Sequence, residues 1–379
     1  ISSQSRPPGR PVAITGFLGG IVTATTTSMT PARADRRVVV GVDTHKDAHV
    51  AVALDELGGL LGSGSFNADR AGYRALIAWA AALGGAVIFG VEGTGSYGAG
   101  LASAIRRSGI GVLEVLRADR RDRRLRGKSD TLDAENAARA VLAGTVHTVP
   151  KTGDGIVEMI RVTKVAKDNA VKARSSAMIS LKQVLVNAPD DLRQALQPLP
   201  KMTLIRRCAG LRPGPIEDVT AATKNALHAI ATRWLALDEE IRGHDALLSR
   251  LTASVVPTLV DAFGIGPDVA AEMLIVLGDN PERIHSEAAF ARLCGTNPIP
   301  ASSGKTIRHR LNRGGHRQAN AALYRTVVVR MQYHEPTRTY VTRRIAEGKT
   351  KPEIIRCLKR LLAREIWALT RDFRRPGTT

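Results

Sequence analysis

Cysteine is scarce: Cys208, Cys294 and Cys357 stand far apart in 379 residues, with no CxxC spacing and no histidine pair at metal-ligand spacing. Neither a disulfide framework nor a structural zinc site is supported, and the chain fits a reducing cytoplasm. Long apolar runs are missing as well. No stretch of about 18 uninterrupted apolar residues occurs, so neither a transmembrane helix nor a membrane partner is expected. The third shortage is negative charge. Asp and Glu number 35 against 55 Lys and Arg, a net charge of +20 and a pI near 10.6, which points to polyanionic partners, above all nucleic acid. Residues 301–379 alone carry 19 basic and 5 acidic side chains, whereas residues 151–300 are nearly balanced at 18 and 17. A solvated surface intersperses its signs. The tail does not, and phosphate contact explains it better.

A chain of this length folds as two or three domains. Residues 1–36 faintly imitate a secretory signal, but Gly and Thr interrupt the apolar stretch, so a disordered leader or vector-derived extension is expected. Val38-Val39-Val40-Gly41-Val42 reads as a buried strand ending at Asp43. Further strands are expected over 49–54, 60–66, 86–91 and 111–115, and helices over 71–83, 98–108 and 131–142. The order βββαβαβα is that of an α/β ribonuclease H-like domain spanning residues 37–150. Residues 151–256 hold two long helices, about 156–185 and 221–251. In the second, Leu227, Ile230, Trp234, Leu237, Ile241, His244, Leu248 and Leu251 form a coiled-coil seam, suiting a helical hairpin or a dimerisation stalk. The proline-rich segment between them reads as a loop or break. Residues 257–379 form a mostly α-helical C-terminal domain. Phe263-Gly264-Ile265-Gly266-Pro267 there looks like a helix-hairpin-helix turn, 297–315 like a loop, and 318–332 and 352–370 like helices.

Four acids fall at informative places. Asp43 and Glu92 end the first and fourth strands, which are neighbours in a sheet of this order, and Asp130 and Asp133 share one face at a helix start. Clustered carboxylates repel unless cations intervene, so the arrangement implies Mg²⁺ or Mn²⁺. Two such ions could assist phosphoryl transfer. Each acid also has an ordinary structural explanation: Asp130 and Asp133 suit a helix N-terminus, and strand-end acids often lie in solvated turns.

Gly41-Val42-Asp43-Thr44-His45-Lys46-Asp47, Val91-Glu92-Gly93-Thr94-Gly95-Ser96-Tyr97 and Lys128-Ser129-Asp130-Thr131-Leu132-Asp133-Ala134 resemble the three motifs of the DEDD transposases of insertion sequences. Ala301-Ser302-Ser303-Gly304-Lys305, followed by Arg313-Gly314-Gly315, is similar to that family's C-terminal domain. The resemblance implies a Holliday-resolvase-like (RuvC-like) catalytic domain in which Asp43, Glu92, Asp130 and Asp133 bind metal. It also implies a serine nucleophile, Ser303 or its neighbour Ser302, that forms a phosphoserine link to double-stranded DNA. Assembly as a homodimer or tetramer around a structured guide RNA, in association with the bacterial nucleoid, follows from the same resemblance. Lys305, Arg308, Arg310, Arg313 and Arg317, with Arg123, Arg124, Arg126 and Lys128, become candidate nucleic-acid contacts.

Two motifs compete with this assignment. Gly93-Thr94-Gly95-Ser96-Tyr97-Gly98 satisfies GxGxxG, and Glu114 ends the next strand, as in a nucleotide-binding oxidoreductase. That class leaves the three-strand opening, the paired aspartates and the basic tail unexplained. Ser303-Gly304-Lys305-Thr306 imitates the end of a P-loop, but Ile299 stands where its first glycine is required. A Holliday-junction-type nuclease, or a noncatalytic nucleic-acid-binding protein on the same scaffold, is the remaining alternative.

Overall fold

The structure is a computed structural model that describes residues 33–116, 129–306 and 309–375, and the chain divides into two compact units, residues 1–150 and 151–379. The expected leader falls almost wholly outside the described residues, as do Arg123, Arg124, Arg126, Lys128 and Arg308.

The first unit is a mixed sheet flanked by helices. Its elements are β1 (Arg33–Thr44), β2 (Ala48–Asp55), β3 (Leu60–Asn67), α1 (Arg70–Leu83), β4 (Gly84–Glu92), α2 (Ala99–Arg107), β5 (Gly111–Val115) and α3 (Asp130–Leu142). The first strand reaches back to Arg33, inside the expected leader, where it pairs with Gly84. The sheet order is β3-β2-β1-β4-β5. The pairs β1–β2 and β2–β3 are antiparallel, while β1, β4 and β5 are parallel. This arrangement is compatible with a ribonuclease H-like DEDD domain. The antiparallel β1–β2 pair departs from the all-parallel sheet of a dinucleotide-binding fold, which removes the oxidoreductase alternative.

Strand periodicity decides which face meets which helix. Val38, Val40 and Val42 of β1, with Phe89 and Val91 of β4, pack under Leu76, Leu83, Leu101 and Ile105 of α1 and α2. On the opposite face Val39, Val52 and Leu54 meet Ala134, Ala137, Ala138 and Val141 of α3.

The second unit is helical. Its first helices are α4 (Ile156–Val186), α5 (Asp190–Leu196), α6 (Lys201–Ala209) and α7 (Val219–Val255). The two long helices, 31 and 37 residues, run antiparallel: Lys167 of α4 meets Asp245 of α7 at 2.6 Å, and further along Arg174 meets Asp238. Leu227, Trp234, Ile241, Leu248 and Leu251 of the seam are buried. His244 is half-buried, with Nε2 3.5 Å from Glu240. The segment expected to be a loop instead holds α5 and α6, whose N-caps are Pro189 and Pro200. Proline fixes a φ suited to a helix start and needs no N–H there, so these residues begin helices rather than break them. Leu192, Leu196, Leu204 and Ile205 close a small core with Leu181, Leu227 and Trp234.

Beyond α7 follow α8 (Pro257–Val260), α9 (Pro267–Leu277), a 3-10 turn (Pro281–Arg283), α10 (Glu287–Leu293), α11 (Arg317–Tyr333), α12 (Glu335–Ala346) and α13 (Lys351–Leu369). Every residue from Val269 to Leu277 is buried, so α9 is the axis around which the others pack. Gly264, with φ of +75°, turns the chain between α8 and α9. The expected 297–315 loop contains two short strands, β6 (Ile299–Pro300) and β7 (His309–Arg310), paired antiparallel. Among the described residues no helix is long and apolar enough to cross a membrane.

Candidate metal centre and the serine hairpin

Residues 39, 41 and 43 of β1 and 88, 90 and 92 of β4 share the sheet face that α3 covers, because side chains alternate along a strand. Val42 pairs with Val91, so Asp43 and Glu92 leave the ends of adjacent parallel strands side by side. Two glycines let α3 come down onto this face. A Cβ on Gly41 would lie 2.0 Å from the Ala134 carbonyl oxygen, and one on Gly90 would lie 2.5 Å from Val141 Cγ2. Ser129 caps the helix, its hydroxyl accepting from the Leu132 N–H at 3.2 Å, and this leaves Asp130 and Asp133 in the first turn. Neither aspartate is the cap.

Asp43, Glu92 and Asp133 are buried, whereas Asp130 is exposed. Burial pushes the Asp43 carboxyl above its usual range; the nearby charges of Asp133 and Asp130 push the same way, and His45 opposes them. His45 joins the cluster. Its Nε2 lies 3.1 Å from Asp43 Oδ2 and 3.4 Å from Asp130 Oδ2. Donor atoms of Asp43, His45 and Asp130 all fall within 4.8 Å of one another, close enough to share one metal ion. The His45 nitrogen is itself buried and set between these carboxylate oxygens. Repelling carboxylates with such a nitrogen among them fit a divalent cation. Glu92 and Asp133 lie outside that tightest group.

In the second unit Ser303 and Thr306 close a tight turn through reciprocal N–H to carbonyl bonds of 3.1 Å, with Gly304 at φ +55° inside it. Ser302, Ser303 and Lys305 are exposed at this turn.

A DEDD transposase model of the IS110 type, described as Transposase, matches residues 40–188. A second model, described as Transposase IS116/IS110/IS902 family, matches residues 257–342, and together the two take in more than half of the chain. The chain belongs to this insertion-sequence transposase family. It is 30% identical over 160 residues to the insertion element IS110 uncharacterized 43.6 kDa protein of Streptomyces coelicolor, covering 42% of this chain and 38% of that one. To the insertion element IS900 uncharacterized 42 kDa protein of Mycobacterium paratuberculosis it is 28% identical over 159 residues, covering 40% and 39%. The alignments thus span about two fifths of each relative.

The first family match contains all four acids and His45, and the second contains the serine turn. Beyond the second match, α13 contributes residues that sequence reasoning did not single out. Lys359 lines both a cavity of about 470 Å³, shared with Arg313 and Arg317, and one of about 680 Å³, shared with Arg310, Arg344 and Arg356. Its Nζ donates to Asn320 Oδ1 at 2.9 Å, and Asn320 Nδ2 donates to the carbonyls of Cys294 and Gly295 at 2.9 and 3.1 Å. Burial and then the Arg356 charge lower the Lys359 pKa. The sequence signal for these residues was the general basicity of the tail, which does not say which cations converge. His45 carried a sharper signal, two residues after Asp43 in the first motif.

Proposed function

We propose that the protein is a transposase that cuts and rejoins double-stranded DNA during excision and insertion of its element. The observation that carries this reading is the meeting of Asp43 with Asp130 and Asp133, remote in sequence, where burial of Asp43 first and then these like charges raise its pKa. Asp43, Glu92, Asp130 and Asp133 would hold Mg²⁺ or Mn²⁺. The ion would supply positive charge against the phosphate oxygens and lower the barrier to phosphoryl transfer.

The nucleophile is Ser303 Oγ, with Ser302 as its alternative. Its oxygen bonds to phosphorus, the phosphorus–oxygen bond to one sugar breaks, and the departing sugar oxygen takes up a proton. The product is a phosphoserine ester that a second strand's hydroxyl can resolve. Lys305, Arg308, Arg310, Arg313 and Arg317 are suited to holding phosphate oxygens while charge builds on them. Arg123, Arg124, Arg126 and Lys128 would extend nucleic-acid contact. The motif resemblance supports a structured guide RNA and a dimeric or tetrameric assembly.

Excision in cells and trapping of a covalent protein–DNA adduct test this reading together. Asp43→Ala and Glu92→Ala should abolish excision while DNA and RNA affinity stay largely intact, and recombination that survives either change would refute the metal assignment. The adduct should vanish in Ser303→Ala. An adduct undiminished there but absent in Ser302→Ala moves the nucleophile by one residue.

A further inference from the structure

We propose that His45 ligates the divalent ion of the acidic centre through Nε2, giving a mixed nitrogen and oxygen donor set that makes the site favour Mn²⁺ over Mg²⁺. The inference rests on the reading of the carboxylates as metal ligands and adds a ligand and a preference to it.

The geometry is that of a coordination polyhedron. Two ligands at right angles around an ion with bonds of about 2.1–2.2 Å lie about 3.0–3.1 Å apart, and at tetrahedral angles about 3.4–3.6 Å apart. His45 Nε2 stands 3.1 Å from Asp43 Oδ2 and 3.4 Å from Asp130 Oδ2, distances that match those edges. The nitrogen is buried, with carboxylate oxygens on two sides of it. A ring nitrogen set between two carboxylate oxygens is the arrangement an ion uses. The ring as a whole stays 43% exposed, which leaves a path for an ion to enter.

Ligand chemistry gives the preference. Mg²⁺ demands hard oxygen donors in near-ideal octahedral geometry and dehydrates reluctantly. Imidazole is a softer donor that suits transition-metal ions, and Mn²⁺, the hardest of these and well served by carboxylates too, accepts it more readily than Mg²⁺. An all-carboxylate centre would hold either ion; one with His45 in the shell discriminates. A competing arrangement is a protonated His45 acting as counter-cation to the carboxylates, which an arriving ion would have to displace. The two arrangements predict opposite effects of removing the ring.

The full chain, as wild type, His45→Ala and Asp43→Asn, is titrated with Mn²⁺ by electron paramagnetic resonance and with Mg²⁺ by calorimetry. Wild type should bind Mn²⁺ at least about tenfold more tightly than Mg²⁺, with nitrogen hyperfine coupling on the bound Mn²⁺. His45→Ala should lose that coupling and about tenfold in Mn²⁺ affinity, while Mg²⁺ affinity changes less than about threefold. Asp43→Asn should lose both ions. Unchanged Mn²⁺ affinity in His45→Ala, or absence of nitrogen coupling in wild type, overturns the inference and leaves the carboxylate reading standing. Tighter binding of both ions in His45→Ala also overturns it, by identifying the ring as a displaced counter-cation. A wild type that takes up neither ion refutes the carboxylate reading itself. His45→Ala should melt with wild type in metal-free buffer, so that lost binding is not lost folding.

Discussion

Gly41 lies so close beneath Ala134 that a methyl group on it would sit 2.0 Å from the Ala134 carbonyl oxygen and 2.3 Å from the Ala138 nitrogen. Both neighbours are backbone atoms of α3, which cannot turn aside as a side chain can. The position of this helix, and with it of Asp130 and Asp133, is therefore set by the absence of one side chain two residues before Asp43.

Gly41→Ala should push α3 off the sheet. The expected cost is about 1–3 kcal/mol of stability, the usual range for overpacking a close contact, accompanied by loss of Mn²⁺ binding because Asp130 and Asp133 retreat from Asp43. Urea unfolding and Mn²⁺ titration of the variant check both parts. Wild-type stability with wild-type Mn²⁺ affinity would show that α3 does not depend on this contact.

Asp43→Asn should stabilise the metal-free protein at neutral pH while destroying metal binding. Folding raises the Asp43 pKa above its ordinary 3.8, through burial first and then through Asp133 and Asp130, against the pull of His45. A group raised on folding contributes stability below its unfolded pKa and loses it as pH rises through the folded value. In chelator, the melting temperature of Asp43→Asn relative to wild type should therefore climb as pH rises from about 4 toward 7. Saturating Mn²⁺ should reverse the order by stabilising wild type alone. A difference independent of pH would mean that the Asp43 charge carries no strain in the fold.

His49 offers a contrasting pH signature on the other face of the sheet. Its ring is fully buried, stacks on Tyr73 at 5.7 Å, and neither nitrogen has a hydrogen-bond partner. Burial, then the charge of His45, lowers its pKa from 6.5. The unfolded chain consequently takes a proton first, so stability is fully present above about pH 6.5 and falls as pH drops toward the folded value. His49→Phe keeps the stacked ring without the titrating nitrogens and should flatten this part of the stability profile, measured by denaturant midpoints between about pH 5 and 7. An unchanged slope would assign the acid sensitivity elsewhere.

Much of the first unit was legible because its signals are local. The unbroken apolar run from Val38 to Val42 marked a buried strand, the strand order followed from short connections, and Asp43 and Glu92 stood at the strand ends. The contact of Gly41 with α3 was not legible, since it depends on which helix crosses which strand. Pro189 and Pro200 were read as breakers, yet proline ends one element and starts the next with equal ease. The arms Ile299–Pro300 and His309–Arg310 are two residues each, too short for any period to register. Helix Glu335–Ala346 went unseen because Thr337 is its one buried residue, which leaves no apolar stripe. Of the site, the acids announced themselves through motif and position. His45 stood inside the first motif, but its significance, like that of Lys359, lies in what the fold brings near it.

Lys164 and Glu272 supply the last test, in the helical unit. Lys164 is 6% exposed and Glu272 3%, and they meet at 3.2 Å between α4 and α9, with Asp168 at 2.6 Å and Asp268 at 3.4 Å from the same ammonium. Burial alone would lower the Lys164 pKa, but the hydrogen bond to Asp168 and the charges of Asp268 and Glu272 outweigh it and raise it. Lys164→Met strands the Glu272 carboxylate in the core and should cost about 3–5 kcal/mol. Asp268 keeps Lys167 at 2.7 Å and Arg325 at 3.3 Å, so it is not stranded in the same way. Lys164→Met combined with Glu272→Leu removes both buried charges and should return within about 1–2 kcal/mol of wild type, because a well-packed apolar pair replaces a buried ion pair at little net cost. Denaturant unfolding of the four proteins in this cycle gives the coupling. Additive losses, with the double variant weaker than either single one, would show that the two side chains do not act as a pair.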